Sequence, residues 1–527
     1  MDWSQARESR EQLVLFPTRL DDAIGIGHRV RVLDEILRRL DWSTWEAKYN
    51  LRRGQPPIHP RILASVILYG ILVRIRSSRA LEEALQVRLD FRWLVEGRSI
   101  DHTTISEFRR KHPDALKETF VQIGLVAREL GCLPLETLAF DGTRMRSNNR
   151  RSGSRTPDEL RAMKQELAET FAELESRVLA SDDEDNGRFG EDSAHTLSQE
   201  LADAERRQQQ VDAALDQLKQ LEAAGQTIPK RIPITDPESR IMPNKDGGHA
   251  PNYTPTATVD VDSGIIVAGD VLNQNNEDDQ LVPSIESVQE AFSLDAPPAE
   301  ALADGLMATG ENLAACEERG IDLYAPVKQP QADNPALREN PSQPVAAKDY
   351  DRLPKKRFKR KGHSYEQLDK EAFVYDAAED CYWCPAGKRL SYRNRTSEKT
   401  KRGKQRHRRR YKASPSDCAE CPLKSLCLAG TAQKRTVNRQ QHESLREAHT
   451  TKMSTEKSRA KYRRRGAFGE RPFATIKFQF GVRQFLVRGL AGVRQEWTWL
   501  LSAANLDRLI GLIASGKDPP VKLVALD

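Results

Sequence analysis

The sequence has few aromatic residues and no apolar run long enough to cross a membrane. Phe, Trp and Tyr together make up 6% of the 527 residues. The longest largely apolar stretch, residues 62–73, falls well short of the ~20 residues that span a bilayer. Met1-Asp2-Trp3 leads directly into charged residues, which does not fit a signal peptide. We therefore expect a cytoplasmic protein that has no membrane partner.

Cysteine is scarce as well, with seven residues in the chain. In a reducing compartment these thiols are candidates for metal binding rather than for disulfides. The net charge of +6 is modest and does not by itself establish nucleic-acid binding. A chain of this length is too long for one core, so we expect three or more domains or large insertions.

The N-terminal region, residues 1–134, has the pattern of an all-α domain. It predicts helices at Val30–Leu40, Arg61–Ile75, Ser78–Leu85 and His102–Lys111. Asp101 is a candidate N-cap for the last of these helices. That helix carries Arg109, Arg110 and Lys111, and a basic helix after a tight turn suits insertion into a DNA groove. The alternative is a helical bundle with a solvated basic face.

Residues 135–327 have the pattern of an α/β core. Leu135–Phe140 is an apolar run that predicts a buried strand with Asp141 at its tip. Heptad-like spacing at 157–225 predicts a helical-hairpin insertion, with an acidic linker at residues 182–185. Further strand and helix signals follow, and one short strand ends at Asp304. The order predicts a mixed sheet with carboxylates at strand ends.

These carboxylates suggest two-metal phosphodiester chemistry, which needs hard oxygen ligands on rigid elements. Asp141 and Asp304 are each followed by Gly, although each could instead be a cap or a turn residue. Glu470 lies seven residues before Lys477, a spacing that puts both on one helix face. Pro472 is tolerated only in a first turn, so we expect Glu470 at the start of a helix. An exposed charge row is the alternative interpretation.

Several motifs in order along most of the chain resemble the DDE transposases of bacterial insertion sequences, in the group with an E-x6-K signature. The stretches that carry the resemblance are Pro57-Ile58-His59-Pro60, Asp101-His102-Thr103-Thr104, Phe140-Asp141-Gly142-Thr143, Asp236-Pro237-Glu238-Ser239, Ala303-Asp304-Gly305, Glu470-Arg471-Pro472-Phe473 with Lys477, and Glu496-Trp497. One departure concerns the related Y-x2-R-x3-E-x6-K pattern. It expects Tyr at 463 and Arg at 466, whereas Tyr462 and Arg465 stand one residue early and Arg463 and Gly466 occupy those positions.

The resemblance implies a ribonuclease H-like core and a transposase that cleaves the element's ends and joins the 3′-OH strand to target DNA. It implies that Asp141, Asp304 and Glu470 hold two Mg²⁺ ions, for which Mn²⁺ substitutes. It also implies that Lys477, Arg463 and Arg465 contact DNA phosphates. The expected partners are terminal-repeat DNA, target DNA and a second copy of the chain in a homodimer. A related nuclease and a decayed or domesticated DNA-binding protein are the alternatives.

Residues 328–440 form a basic, cysteine-rich insertion, followed by core C-terminal helices at 441–515. Paired CxxC units point to tetrahedral zinc. The family's usual pattern implies Cys384, Cys418, Cys421 and Cys427 as ligands, while a competing set uses Cys381 and Cys384 with Cys418 and Cys421. The basic run 399–412 includes three consecutive arginines and predicts phosphate contact with little base information. These arginines are Arg408, Arg409 and Arg410.

Overall fold

A computed structural model describes residues 19–49, 56–149, 153–184, 191–244, 247–360, 363–399 and 405–515. Asp185 of the predicted acidic linker and residues 400–404 of the basic run lie outside these ranges. The helices are α1 (Arg29–Arg38), α2 (Ser43–Glu46), α3 (Pro60–Leu72), α4 (Ser78–Val87), α5 (Leu89–Leu94), α6 (His102–Arg110), α7 (Pro113–Glu129), α8 (Pro157–Glu184), α9 (Glu191–Ala223), α10 (Leu281–Ala291), α11 (Gly310–Glu318), α12 (Pro415–Ala419), α13 (Lys424–Cys427), α14 (Glu443–Ser454), α15 (Glu456–Phe468), α16 (Arg471–Ala474) and α17 (Leu490–Ser515).

The strands alternate with these helices in a mixed α/β order. They are β1 (Thr137–Gly142), β2 (Met145–Arg146), β3 (Ser154–Arg155), β4 (Ile232–Pro233), β5 (Arg240–Pro243), β6 (His249–Asp260), β7 (Ile266–Ala268), β8 (Val271–Leu272), β9 (Glu300–Leu302), β10 (Asp322–Tyr324), β11 (Lys355–Arg360), β12 (His363–Leu368), β13 (Val374–Asp376), β14 (Cys381–Trp383), β15 (Arg389–Lys399), β16 (Gln405–Lys412) and β17 (Thr436–Gln440). Within the described ranges, no helix is both long and apolar enough to traverse a bilayer.

The chain divides into two compact units. The first comprises Met1–Ala214, Arg231–Ala301 and Arg464–Asp527. The second comprises Leu215–Lys230 and Leu302–Arg463. Asp141, Glu470 and Lys477 therefore belong to the first unit and Asp304 to the second.

The N-terminal helices of the first unit confirm the predicted helical region. The structure has α1, α3, α4 and α6 within a few residues of their predicted bounds. Asp101 caps α6 as expected, because its Oδ1 accepts the N–H groups of Thr103 and Thr104 at 2.8 and 2.9 Å. All of α3 from Ile62 to Leu72 is buried, which explains why its sequence is apolar on every side.

The sheet of the first unit is built on β6, whose residues are buried apart from the first. Strands β1, β2, β5, β7 and β8 all pair antiparallel with β6. In this register Asp141 stands opposite Ala257. At the other side of β1, the N–H of Glu300 donates to the carbonyl of Glu136 at 3.1 Å. The strand that the sequence predicts before Asp141 is therefore present, and it continues through Asp141 to Gly142.

Helix α17 contains Glu496-Trp497, one of the stretches that carry the resemblance to DDE transposases. Trp497 and Asn505 of this helix form hydrogen bonds with the sheet. Trp497 Nε1 donates to the carbonyl of Thr256 at 3.0 Å. The side-chain amide of Asn505 exchanges two 2.7 Å hydrogen bonds with the backbone of Ile266. Both side chains are buried, so these bonds satisfy polar groups that have no access to water. This tail therefore has a structural role in the first unit.

The Asp-Pro-Glu-Ser stretch at 236–239 bonds to the chain at the start of α17. Asp236 Oδ1 accepts the N–H of Gly489 at 3.1 Å, and Glu238 Oε2 accepts the N–H of Leu490 at 2.8 Å. Carboxylates at a helix N-terminus satisfy its unpaired N–H groups and its dipole. Burial raises the pKa of Asp236, while its hydrogen bond with Tyr253 opposes that rise.

The predicted helical hairpin is formed by α8 and α9. Its first helix begins with a capping box in which Thr156 N donates to Glu159 Oε2 at 2.8 Å, and Glu159 N donates to Thr156 Oγ1 at 3.2 Å. The two helices are joined by an ion pair between Lys164 Nζ and Asp212 Oδ1 at 2.6 Å.

The second unit contains strands in the insertion that the sequence did not predict. Strands β13 to β17 form a five-stranded antiparallel sheet in sequential order. Tyr382 and Tyr411 are buried at its core with Leu390 and Val437. The helix α11 and strand β10 confirm the predicted elements at 310–327, and the N–H of Ala303 donates to the carbonyl of Tyr324 at 3.0 Å.

Candidate active site

Asp141 stands where β1 leaves the buried part of the sheet. The strand begins with four buried residues, and Asp141 and Gly142 at its end are half-buried. Asp141 Oδ1 lies 2.8 Å from Arg465 Nη2, and the two side chains are 14% and 9% exposed. Arg465 and Asp141 therefore form a close ion pair with little exposure to solvent.

Arg465 is the arginine that stands one residue earlier than the family pattern expects. It lies in the last turn of α15, which ends at Phe468. Its contact with Asp141 gives it a definite place at the end of β1 despite the shifted spacing. Arg463 belongs to the same helix, is exposed and pairs with Glu456 at 2.7 Å.

The residue before Glu470 lies against the same strand. A Cβ atom at Gly469 would lie 3.4 Å from Ala139 Cβ and 3.0 Å from the carbonyl of Arg465. The absence of a side chain at Gly469 therefore leaves room for the close approach of the chain to the Arg465 carbonyl beside β1. Glu470 itself is exposed, occupies the N-cap position of α16 and is followed by Pro472 in the first turn. The predicted helix start at Glu470 is confirmed.

Lys477 reaches the end of β1 from a π-helical turn at Thr475–Gln479. Its Nζ donates to Thr143 Oγ1 and, at 3.0 Å, to the carbonyl of Arg144. Arg74 supports this turn, because its Nε donates to the carbonyl of Gln479 at 2.7 Å. Regular helix geometry predicted that Glu470 and Lys477 share a face, but the π-helical turn changes the geometry between them.

A further carboxylate at the end of β1 was missed in the sequence. The Glu277 carboxyl lies so close to Gly142 that a Cβ atom there would be 2.9 Å from it. Glu277 Oε2 also lies 3.4 Å from Arg144 Nη1. Its only sequence signal is a polar stretch at 274–279, which resembles an ordinary loop. The end of β1 thus combines Asp141 with two cations and a second half-buried acidic group, Glu277.

Asp304 has the predicted position after a short strand, in the second unit. It follows β9 and caps a 3₁₀ turn, and its Oδ1 accepts the N–H of Leu306 at 2.9 Å. A Cβ atom at Gly305 would lie 2.6 Å from the carbonyl of Pro326, so this turn requires glycine. A role as a cap and a role in catalysis are compatible for Asp304, because the turn uses only one of its two carboxylate oxygens.

Four cysteines of the insertion line one small cavity in the second unit, and they are Cys384, Cys418, Cys421 and Cys427. Burial raises the pKa of Cys427 to about 12, and the neighbouring thiols add to that rise. Cys381 is buried within β14, where it pairs with Ser391. The cavity therefore contains the set implied by the family pattern and not Cys381.

Across the described residues, no three His, Cys, Asp or Glu side chains are grouped at metal-binding spacing. The four cysteines line the same cavity, but their thiols are not grouped at the spacing of a tetrahedral metal site. The ligand sets for magnesium and zinc consequently stay predictions.

The candidate DNA-binding residues of α6 differ in exposure. Arg110 and Lys111 are exposed, and Lys111 pairs with Glu107 at 2.7 Å. Arg109 is half-buried, and burial lowers its pKa to about 10. Trp499 Nε1 donates to the Arg109 carbonyl at 3.2 Å, so this end of α6 packs on α17. Arg110 and Lys111 are better placed for DNA than Arg109.

The three consecutive arginines of the insertion lie on β16. Arg408 pairs with Glu398 across the sheet. Arg409 pairs with Asp380 and stacks on Tyr392, with its guanidinium carbon 4.8 Å from the ring centroid. Arg410 lies opposite Asn438. The predicted basic run is therefore a strand surface in which side chains alternate between two faces.

Comparisons with known families bear on this arrangement. A family described as Transposase domain (DUF772) matches residues 18–111, and a family described as Transposase DDE domain matches residues 383–510. The resemblance to DDE transposases is confirmed. The matched parts include α6, the cysteine-lined cavity, Glu470 and Lys477, but not Asp141 or Asp304. A search of curated proteins found no match.

Proposed function

We propose that the protein is the transposase of a bacterial insertion sequence, which binds the element's ends, cleaves DNA and transfers the 3′-OH strand to a target. The observation that supports the proposal most is the set of contacts at the end of β1. Arg465 pairs with Asp141, Lys477 bonds to Thr143 two residues after Asp141, and Gly469, which precedes Glu470, lies against Ala139 of the same strand. The transposase families matched at both ends of the chain support the same function.

The carboxylates would hold two Mg²⁺ ions, with Mn²⁺ as a substitute. Carboxylate oxygens are the hard ligands these ions prefer, so the donor chemistry of Asp141, Asp304 and Glu470 fits. Bound in this way, the ions would supply Lewis-acid stabilisation and an activated water. Arg465 would orient Asp141, and Lys477 would bring positive charge to the phosphate at the end of β1. Hydrolysis of the phosphodiester leaves a 3′-OH, which then displaces a leaving oxygen in line at a target phosphate.

The insertion and α6 would supply DNA contacts outside the site of cleavage. On β16 and its neighbours, Arg395, Arg408 and Arg409 line a cleft of about 340 Å³. Such a cleft suits a sugar-phosphate backbone, since cations there neutralise phosphates without reading bases. The four-cysteine cavity would hold a structural zinc ion, because thiols at CxxC spacing are its preferred donors.

A supercoiled donor plasmid that carries the element's terminal repeats tests the proposed function. Incubation with the protein and Mg²⁺ should give both cleavage at the repeat ends and joined strand-transfer products. Cleavage alone would indicate a ribonuclease H-like nuclease. A gel shift without cleavage would indicate a DNA-binding protein that has lost catalysis.

We also expect α6 to recognise the element's ends. The change Arg110→Ala with Lys111→Ala should weaken binding to terminal-repeat DNA at ~0.15 M salt, where non-specific binding is weak. The whole chain is the suitable material, because Trp45 and Phe108 share one core with Trp499 of α17. Arg92→Ala, an exposed arginine on α5, is the matched control. Equal loss in the two proteins, or no loss in the double variant, would exclude this role for α6.

A further inference from the structure

A cationic pocket lies beside Glu470 in the first unit. It has a volume of about 350 Å³ and lies between α16 with its π-helical turn and the second half of α17. Its charged lining residues are Arg29, Arg471, Asp507 and Arg508. Three positive charges against one negative charge leave this lining with an excess of two. A pocket of that composition suits an anion.

Asp507 is the only acidic residue among the described lining residues, and it pairs with Arg29 and not with Arg471 or Arg508. Asp507 Oδ1 lies 2.5 Å from Arg29 Nη2, and its Oδ2 accepts Gln479 Nε2 at 2.8 Å. Asp507 thereby neutralises Arg29. Among the described residues, Arg471 has no hydrogen-bond or ion-pair partner. The excess charge of the pocket consequently resides on Arg471 and Arg508.

Arg508 is held in a defined position. Its Nε donates to the carbonyl of Ser263 at 2.6 Å. Its guanidinium also packs on Gly264, where a Cβ atom would lie 3.2 Å from Nε and where φ is +74°. A glycine in this left-handed conformation gives the guanidinium its space. Burial lowers the pKa of Arg508, and the nearby charge of Arg471 lowers it further. The two cations repel each other, and a bound anion would relieve that repulsion.

The position of the pocket points to one class of anion. Arg471 directly follows the candidate metal ligand Glu470, and Gly469 on the other side of Glu470 lies against Ala139 of β1. We propose that Arg471 and Arg508 together clasp one backbone phosphate of the DNA strand, next to the phosphodiester that is cut. Guanidinium groups bind phosphate oxygens through paired N–H donors, which suits such a clasp. The inference rests on the proposed function, and it adds a phosphate-positioning site to it.

Binding of the whole protein to terminal-repeat DNA tests the clasp without any cleavage, in buffer that contains no divalent metal. One phosphate at a time near the cleavage position is replaced by a neutral methylphosphonate. In the wild-type protein, one such replacement should weaken binding several-fold. In Arg471→Ala and in Arg508→Ala, the same replacement should have little further effect, because its partner has been removed.

Salt dependence gives a second readout. Each phosphate contact contributes about 1 to the slope of log K against log salt. Since both arginines are proposed to hold the same phosphate, the slope for the double variant should be smaller in magnitude by about 1 and not by about 2. Arg494→Ala is the matched control, because Arg494 lies on the same helix, pairs with Asp270 at 2.7 Å and does not line the pocket. Thermal unfolding of each variant checks the fold, and exposed Arg471 can be removed without loss of a packing contact.

Three outcomes would overturn the clasp. The first is a methylphosphonate profile that is the same in the variants as in the wild-type protein. The second is a slope loss of 2 in the double variant, which would mean two separate contacts. The third is competition by inorganic phosphate with no sensitive position in the DNA, which would mean a site for the free anion. If the wild-type protein binds and cleaves the repeats but no methylphosphonate position weakens its binding, this inference alone is refuted. Failure to bind the repeats would refute the proposed function itself.

Discussion

Asp141→Ala and Asp304→Ala are each expected to abolish DNA cleavage while DNA binding is retained. In the proposed function, each change removes a negative charge and an oxygen ligand at the point where phosphate charge would develop. Metal-borne stabilisation of the transition state is worth several kcal/mol, and each ~1.4 kcal/mol is tenfold in rate, so the expected loss is about a thousandfold or more. We expect binding to survive because the proposed DNA contacts are Lys and Arg side chains elsewhere. The measurements are nicking of a terminal-repeat plasmid in Mg²⁺ and a gel shift on the same DNA.

A softer ligand at the same positions distinguishes metal binding from a structural role. Asp141→Cys should be inactive in Mg²⁺ and partly active in Mn²⁺, because Mn²⁺ tolerates a softer donor better. A carboxylate that only anchored Arg465 would give no such dependence on the metal. Normal nicking by Asp141→Ala in Mg²⁺ would falsify the two-metal assignment.

The choice of control depends on the structure. Asp262 is partly exposed and pairs with Arg464 at the surface, so Asp262→Ala should cost at most ~1 kcal/mol and keep cleavage. Asp260, two residues earlier, is not a suitable control, because it stands opposite Leu138 of β1. It is fully buried, and its carboxylate accepts the N–H groups of Leu135 and Ser263. Asp260→Ala would leave those donors unsatisfied, so a loss of activity there would report unfolding.

The order of the core elements, the end of β1 and the start of α16 could be predicted from the sequence because their signals are local. A short apolar run ends at Asp141, and Pro472 is compatible only with a first turn, which fixes the helix start at Glu470. Asp101 similarly precedes a recognisable helix. Each of these features depends on a few neighbouring residues, so no knowledge of the tertiary structure was needed.

The contacts around the site depend on distant parts of the chain and had no local signal. Glu277 meets Gly142 across 135 residues, and Arg465 meets Asp141 across more than 300. Arg109 and Arg110 are neighbours of the same type, yet Arg109 is the less exposed one in the structure, where the end of α6 packs on α17. Burial of a charged residue depends on which element packs over it, and the sequence pattern does not contain that information.

The strands of the insertion were missed for a different reason. Residues 405–412 are almost entirely polar or basic, so the apolar alternation that predicts a strand is absent. Only Tyr411 of β16 is buried, and it packs with Tyr382 at 5.1 Å between ring centroids. The sheet depends on a few aromatic residues and on backbone pairing, with basic side chains on its surface. A composition of this kind looks like a solvated loop when only the sequence is read.

Replacing Cys427 is expected to release a zinc ion from the second unit, whereas replacing Cys381 is not. Both thiols are buried, so Cys427→Ser and Cys381→Ser make the same chemical change in similar surroundings. Only Cys427 lines the cavity shared with Cys384, Cys418 and Cys421. Loss of one of four ligands leaves an incomplete tetrahedral site, and structural zinc contributes directly to folding free energy. Cys427→Ser should therefore also lower the thermal stability of the second unit.

Elemental analysis of protein purified without chelator provides the measurement. We expect about one zinc per chain in the wild-type protein and in Cys381→Ser, and little in Cys427→Ser. Limited proteolysis within 328–440 should be faster in Cys427→Ser, and a strong chelator should make the wild-type protein equally susceptible, since the metal holds the fold. Zinc retained by Cys427→Ser and lost from Cys381→Ser would instead favour the competing ligand set that contains Cys381. A wild-type protein that contains no zinc would refute both ligand sets, and the four thiols that line the cavity would then be packing residues of the insertion.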